Sequence, residues 1–223
     1  MKTPKLFLSA LLSSLLFSSC QDPKKEADAT PRHEVEEATP DSGPIVIIET
    51  SMGTIKARLH EDTAPITVKN FLSYVDEKFY DKTIFHRVMS DFMIQGGGFA
   101  IPESTAKEKE TRDSIRNESH KTRNNTRGTL AMARTKDPHS ASCQFFINVV
   151  DNPGLDYPKN GGGYAVFGEV IEGMEIADQI KEVPTFEAPL LSLAGRKWIV
   201  NPSPNVPITP VFIESIRRAP ADQ

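Results

Sequence analysis

From residue 45 onward the apolar positions come in short runs, and the period of each run identifies its element. Residues 45–49 are largely β-branched and residues 54–59 alternate apolar with polar, with Ser51-Met52-Gly53 between them, which predicts a β-hairpin. The pattern then lengthens, with Val68, Phe71, Leu72 and Val75 recurring at i, i+3, i+4 and i+7. That spacing predicts a helix with Thr63 as its N-cap and Pro65 in its first turn. Residues 100–121 turn polar and charged and read as a surface loop whose charges are solvated. Short apolar strands follow at 129–133 and 144–150, separated by the turn chemistry of TKDPHSAS, and another at 164–170 after Gly161-Gly162-Gly163. A second helix is expected over 173–181, with Met174, Ala177 and Ile180 on one face. Residues 184–210 hold six prolines and the only tryptophan, Trp198, and so read as an irregular excursion rather than a sheet. Residues 211–216 close the domain as a strand. Many short strands with two amphipathic helices predict a closed or nearly closed antiparallel sheet with helices over its ends.

The first 43 residues follow other rules. Lys2 and Lys5 form a positive start, residues 6–17 an apolar run of 12, and Ser18-Ser19-Cys20 a small-residue cleavage site, which together read as an export signal over 1–19. Such a run is too short to cross a bilayer as a permanent helix. The site resembles the lipobox of bacterial lipoproteins, with Phe17 where that pattern prefers leucine, and the resemblance implies acylation of Cys20. An ordinary secretory signal, giving a soluble periplasmic or secreted protein, is the alternative. Residues 21–43 lack large apolar side chains and read as a disordered tether that holds the domain roughly 25–30 Å from a membrane. Gln21 follows the cysteine, and aspartate comes one place later as Asp22, which implies the inner leaflet of the outer membrane rather than retention at the inner one. The folded domain is therefore expected over 44–219, with a short tail at 220–223.

Composition narrows the partners. The formal charge of −4, becoming −6 once the two lysines of residues 1–19 are removed, argues against nucleic acid, and no basic run reverses that. Cys20 and Cys143 lie in different contexts and make no disulfide framework, and no two of the five histidines have helical metal-pair spacing. No metal or cofactor is expected. Cys143 is expected as a free, buried thiol, and the domain as a monomer.

The stretch FHRVMSDFMIQGGG, residues 85–98, sets a permanent charge, Arg87, among Phe85, Val88, Phe92, Met93 and Ile94. Either its guanidinium snorkels from a core strand to water, or partners hold it, and Gln95 is the nearest candidate to orient its fork. The glycines at 96–98 allow a second chain segment to approach closely. They lack the spacing and strand-to-helix context of a dinucleotide site.

With GTLAMARTKDPHSASCQFFINV (128–149) and FGEVIEGM (167–174), this stretch resembles the cyclophilin-type peptidyl-prolyl cis-trans isomerases, over residues 45–183 and again over 206–217. The resemblance implies a mainly β fold, a closed eight-stranded antiparallel β-barrel capped by two α-helices. It implies Arg87 as the catalytic arginine with Gln95 as its amide partner, and Phe92, Met93, Phe146 and Leu155 as walls of a proline pocket. Ala133, Arg134, Gln144 and Tyr164 would line the adjoining groove, Arg134 chiefly through its backbone, and His86 would be structural. Gly154 stands where the family often has an aromatic wall, which argues against tight cyclosporin binding, and Tyr164 replaces a common histidine. The implied substrates are proline-containing polypeptides, unfolded or partly folded exported proteins, reached from a membrane-anchored position. A tethered module that binds proline segments or acts as a chaperone without turning them over is the competing reading, and the buried donor at Arg87 is what separates the two.

Overall fold

The structure is a computed structural model, and it describes residues 43–102, 104–194 and 197–220. The export signal, Cys20, almost all of the tether and residues 221–223 lie outside the described residues.

Among the described residues eleven strands form one sheet. They are β1 (Ile45–Thr50), β2 (Gly53–Leu59), β3 (Thr83–Val88), β4 (Met93–Ala100), β5 (Lys107–Glu108), β6 (Thr129–Met132), β7 (Phe145–Asn148), β8 (Val166–Glu172), β9 (Thr185–Ala194), β10 (Lys197–Pro207) and β11 (Phe212–Arg218). Their order is β10-β9-β5-β4-β3-β11-β1-β2-β8-β6-β7, and β7 pairs back onto β4. Eight strands, β4-β3-β11-β1-β2-β8-β6-β7, therefore close into an antiparallel barrel without open edges, and β5, β9 and β10 extend from it as a flap.

The barrel is filled by alternate residues of its strands, among them Val46, Ile48, Ile55, Phe85, Ile94, Phe145, Ile147, Phe167 and Ile213. Two helices, α1 (Pro65–Asp76) and α3 (Met174–Lys181), bury one face each against this core; between them α2 (Lys159–Gly162) is a single irregular turn. From α1, the Phe71 ring meets those of Tyr80, Phe145 and Phe167 at centroid distances of 5.0–5.5 Å. This contact fixes the helix over the barrel.

Three expectations need correcting. Thr63 does not cap α1, which begins after Ala64 with no side-chain cap of its own. Its free N–H groups are met instead by Glu118, whose carboxylate accepts from Ile66 N (3.2 Å), Thr67 N (2.8 Å) and Thr67 Oγ1 (2.7 Å). Glu118 is buried, so the charges of the 100–121 segment are not all solvated, and this one stabilises the positive end of a helix, reaching Thr67, 51 residues away in sequence. The prolines of 184–210 likewise do not prevent sheet, since β9 and β10 pair over most of their length. Pro202, Pro204 and Pro207 lie on β10, the outermost strand, where a missing N–H costs no ladder bond. Pro189 points its nitrogen to the side from which Leu191 N reaches Ala106 O, short of where β5 begins.

Replacing Glu118 with alanine removes three hydrogen bonds, one of them to a buried hydroxyl. A loss of about 1–3 kcal/mol is expected, measured as a lower urea midpoint with an unchanged slope, and partly restored in Glu118→Gln.

Candidate active site

One row of cross-strand neighbours builds the site. Arg87 of β3 lies opposite Gln95 of β4, Gln95 lies opposite Phe146 of β7, and Phe146 lies opposite Ala131 of β6. Directly opposed residues share a face, so the barrel's closure sets a cation, an amide and an aromatic ring side by side at strand spacing. Over this row opens a cavity of about 260 Å³ lined by Arg87, Phe92, Met93, Gln95, Ala133, Arg134, Phe146, Leu155, Asn160 and Tyr164. Every pocket and groove residue named from the sequence meets here except Gln144, which stands behind the wall.

Gln144 holds Gln95, whose Nε2 donates to Gln144 Oε1 at 2.9 Å. In turn Gln144 Nε2 reaches Glu108 Oε1 at 3.4 Å, and the Gln144 side chain lies where a Cβ on Gly98 would be. The expectation that Gln95 holds the fork of Arg87 directly is therefore corrected. Among the described residues the guanidinium has neither a hydrogen-bond partner nor a carboxylate, and it sits 5.8 Å from the centroid of the Phe92 ring. Burial lowers its pKa from the ordinary arginine value, the usual effect of removing a cation from water.

Arg134 acts through its side chain, not only its backbone. It donates from Nε to Gly163 O (3.1 Å) and from its terminal nitrogens to Thr135 O (2.9 Å) and Asn160 O (2.7 Å), and it lies 4.3 Å over the Tyr164 ring. Tyr164 meets Phe146 edge-on at 5.8 Å. Arg134 thus fastens the 160–163 turn as one wall of the cavity. On the Leu155 side Gly154 leaves open space, with no atom within 4 Å of an added Cβ.

The sequence reading missed the polar layer beneath. Asn152 Nδ2 donates to Phe92 O (2.9 Å) and Asn148 Oδ1 (2.7 Å), Asn148 Nδ2 to Thr129 Oγ1 (2.9 Å), and Asn125 Nδ2 to Tyr164 O (3.3 Å). These buried amides fix the backbone carrying Phe92 and Tyr164. The available signal was Asn148 at the end of the apolar FFIN run, a buried amide that needs partners. Asn160, at a positive φ of 48° in the Asn-Gly-Gly-Gly turn, was missed as a lining residue.

His86 and Cys143 flank the site from inside. Burial pushes the Cys143 thiol up to about 12, so it is a free, inert, protonated packing group. Burial lowers His86 to about 4, with its ring against Phe99 at 4.6 Å. At neutral pH both native and unfolded chains hold this imidazole neutral. As pH falls through 6.5 the unfolded chain is protonated first, so stability is lost down to about pH 4, on the order of 3 kcal/mol. Urea midpoints at pH 7, 5.5 and 4.5 should show this slope, and His86→Gln should flatten it. The same slope in the variant would assign the titration elsewhere.

Residues 45–210 match the family model for the cyclophilin type peptidyl-prolyl cis-trans isomerases. Peptidyl-prolyl cis-trans isomerase B of Escherichia coli is 49% identical over 175 residues, covering 77% of this chain and 98% of that one. A peptidyl-prolyl cis-trans isomerase of Acinetobacter baylyi is 50% identical over 173 residues, covering 78% and 84%. Among solved structures, a cyclophilin-type isomerase of Cryptosporidium parvum, determined also in the presence of the dipeptide Ala-Pro, superimposes with a TM-score of 0.60 at 26% identity, over 79% of this chain and at least 98% of that one. A closed barrel, a cationic and apolar cavity on its outer face and half-identical relatives agree: the chain belongs to the cyclophilin-type peptidyl-prolyl cis-trans isomerases.

Proposed function

We propose that this chain accelerates X-Pro rotation by means of Arg87, and that it does so for exported polypeptides from a membrane tether. The observation that carries the first part is the unpaired, half-buried guanidinium on the rim of an apolar cavity. Rotation about a peptide bond costs about 18–20 kcal/mol because conjugation is lost. In the twisted transition state the prolyl nitrogen regains a lone pair, an acceptor absent from the ground state, and a donor aimed at it favours that state selectively. Phe92, Met93, Phe146 and Leu155 would hold the pyrrolidine ring on one side of the bond. Gln95, fixed by Gln144, and the Ala133 backbone would hold the other side. A module that only binds proline segments would use the same walls, but has no use for a charge kept from water without a counter-ion.

Arg87→Ala should lower kcat/KM on a proline peptide by roughly 10²–10³, the effect of losing one donor of this kind. Arg87→Lys should recover little, because an ammonium lacks the planar fork. No acceleration by a soluble fragment spanning 44–223 would leave the binding module as the better reading.

The second part rests on the sequence of residues 1–43, whose resemblance to a lipobox implies acylation of Cys20 ahead of a 23-residue tether. No helix among the described residues is long and apolar enough to cross a membrane. An anchor of several acyl chains gives stable attachment where one is marginal. From the periplasmic side the domain would meet unfolded exported chains, whose X-Pro bonds populate cis appreciably. Cys20→Ala should shift the protein from the membrane to the soluble fraction with its turnover of a proline peptide unchanged. A variant that still sediments with membranes after a salt wash would show that the anchor is not at Cys20.

A further inference from the structure

A second cavity opens beneath the β9–β10 flap, against β3, the strand that also carries Arg87. Its volume is about 210 Å³, close to that of the first site. Ile84, Ile101, Phe186, Leu190, Val206 and Ile208 supply apolar walls, and Ser104 and Thr105 stand at its margin. A void of about 150 Å³ lined by aliphatic and aromatic groups is enough to take benzene. This one therefore has room for one large apolar side chain.

Its position relative to the first site is set by β3. Ile84 comes three residues before Arg87, a separation of roughly 10 Å along a strand. Between the two cavities the contacts are continuous. Gln95 is held by Gln144, Gln144 reaches Glu108, Glu108 lies opposite Phe99 across β5 and β4, and Phe99 packs in the flap's own cluster with Leu190, Ala188 and Val206. Two features of the flap bear on what it receives. Phe186 and Ile208 are 48% and 59% exposed, so apolar surface at the cavity remains in water. The outer edge of β10 carries Pro202, Pro204 and Pro207, which lack donors for an added strand, so the flap offers its cavity rather than its edge.

We propose that this cavity is a second subsite for the polypeptide whose proline occupies the first, taking one aliphatic or aromatic side chain three to five residues from that proline. The inference rests on the isomerase reading of the Arg87 site. The spacing follows from an extended chain, which advances about 3.3 Å per residue and so covers 10–15 Å in three to five. The chemistry follows from the lining, which rewards apolar area and among the described residues carries no charge. Because the second cavity does not touch the rotating bond, it binds ground and transition states alike, and its effect falls on KM with kcat unchanged.

The test uses the full-length protein and a set of peptides that share one Ala-Ala-Pro centre and carry either phenylalanine or serine at three, four or five residues from the proline, on either side. At the favoured position kcat/KM for the phenylalanine peptide should exceed that for its serine twin about five- to tenfold, through KM, and equally at low and high salt. Ser104→Trp, which fills the cavity from its margin, should bring that ratio to about one. Acceleration of both twins with equal constants at every position overturns the inference and leaves the isomerase reading standing. Acceleration of neither overturns both. Should the twins be equal and the fluorescence of Trp198, the single tryptophan, shift blue when the Cys20→Ala chain meets phosphatidylglycerol vesicles, the flap contacts lipid and the subsite is excluded.

Discussion

The barrel depends on β4 pairing along both edges, with β3 on one and with β7 and β5 on the other. A strand so enclosed has no room for ordinary side chains where its neighbours crowd. Gly97 adopts a φ of +84°, and a Cβ there would lie 2.9 Å from Tyr80 and 3.0 Å from Phe145, two rings of the core. At Gly98 an added Cβ would fall 2.4 Å from Cγ of Gln144. The first glycine lets the barrel close around its aromatic core, and the second lets Gln144 lie against β4 and reach Gln95. The constraint that completes the fold is thus also the one that positions the amide beside Arg87.

Electrostatics separates Arg87 from Arg217, Arg218 and Arg127. Arg217 is paired in fork geometry with Asp81, Arg218 with Asp76 and Arg127 with Asp178, at 2.6–2.9 Å. Each of these hydrogen-bonded arginines holds its aspartate below the ordinary carboxylate range. All are exposed enough for water and salt to screen them, and they contribute little to stability. Arg87 is the reverse case, more desolvated and without a carboxylate. Pairing it would satisfy its charge and occupy the donors that the proposed mechanism assigns to rotation.

How much of this was legible in the sequence varies with the range of the interaction. Periodicity located β1, β2, α1 and α3 to within a few residues, because each buries one face and the spacing of that face is local. Most walls of the first cavity were legible too, through residues of two motifs that resemble a family, 85–98 and 128–149, with Leu155 and Tyr164 implied by the same resemblance outside them. What was hidden is what depends on distant partners. The Thr63 hydroxyl looked like a cap because nothing local shows that Glu118 will arrive at the same helix end. Six prolines looked like a bar to pairing because the sequence does not say that β10 will be the outer strand, where their missing donors are harmless. Nor does it show that Gln95 will be claimed by Gln144, 49 residues later, instead of by its cross-strand neighbour Arg87.

The walls of the first cavity are also unequal in a way that bears on what it can hold. On the Leu155 side Gly154 contributes no side chain, and the space there is open. Next to Leu155, whose carbonyl accepts from Tyr164 N at 2.8 Å, Tyr164 is braced twice, against the edge of Phe146 and beneath the Arg134 guanidinium, which is itself tied to three backbone carbonyls. A stacked, hydrogen-bonded wall of this kind is stiff, whereas an absent one excludes no water. In the proposed mode, a proline ring held by Phe146, Met93 and Phe92 needs only the stiff side. A bulky ligand that depends on an aromatic surface at position 154 finds none, so the same substitution weakens recognition of large rigid ligands while sparing the small ring on which turnover depends.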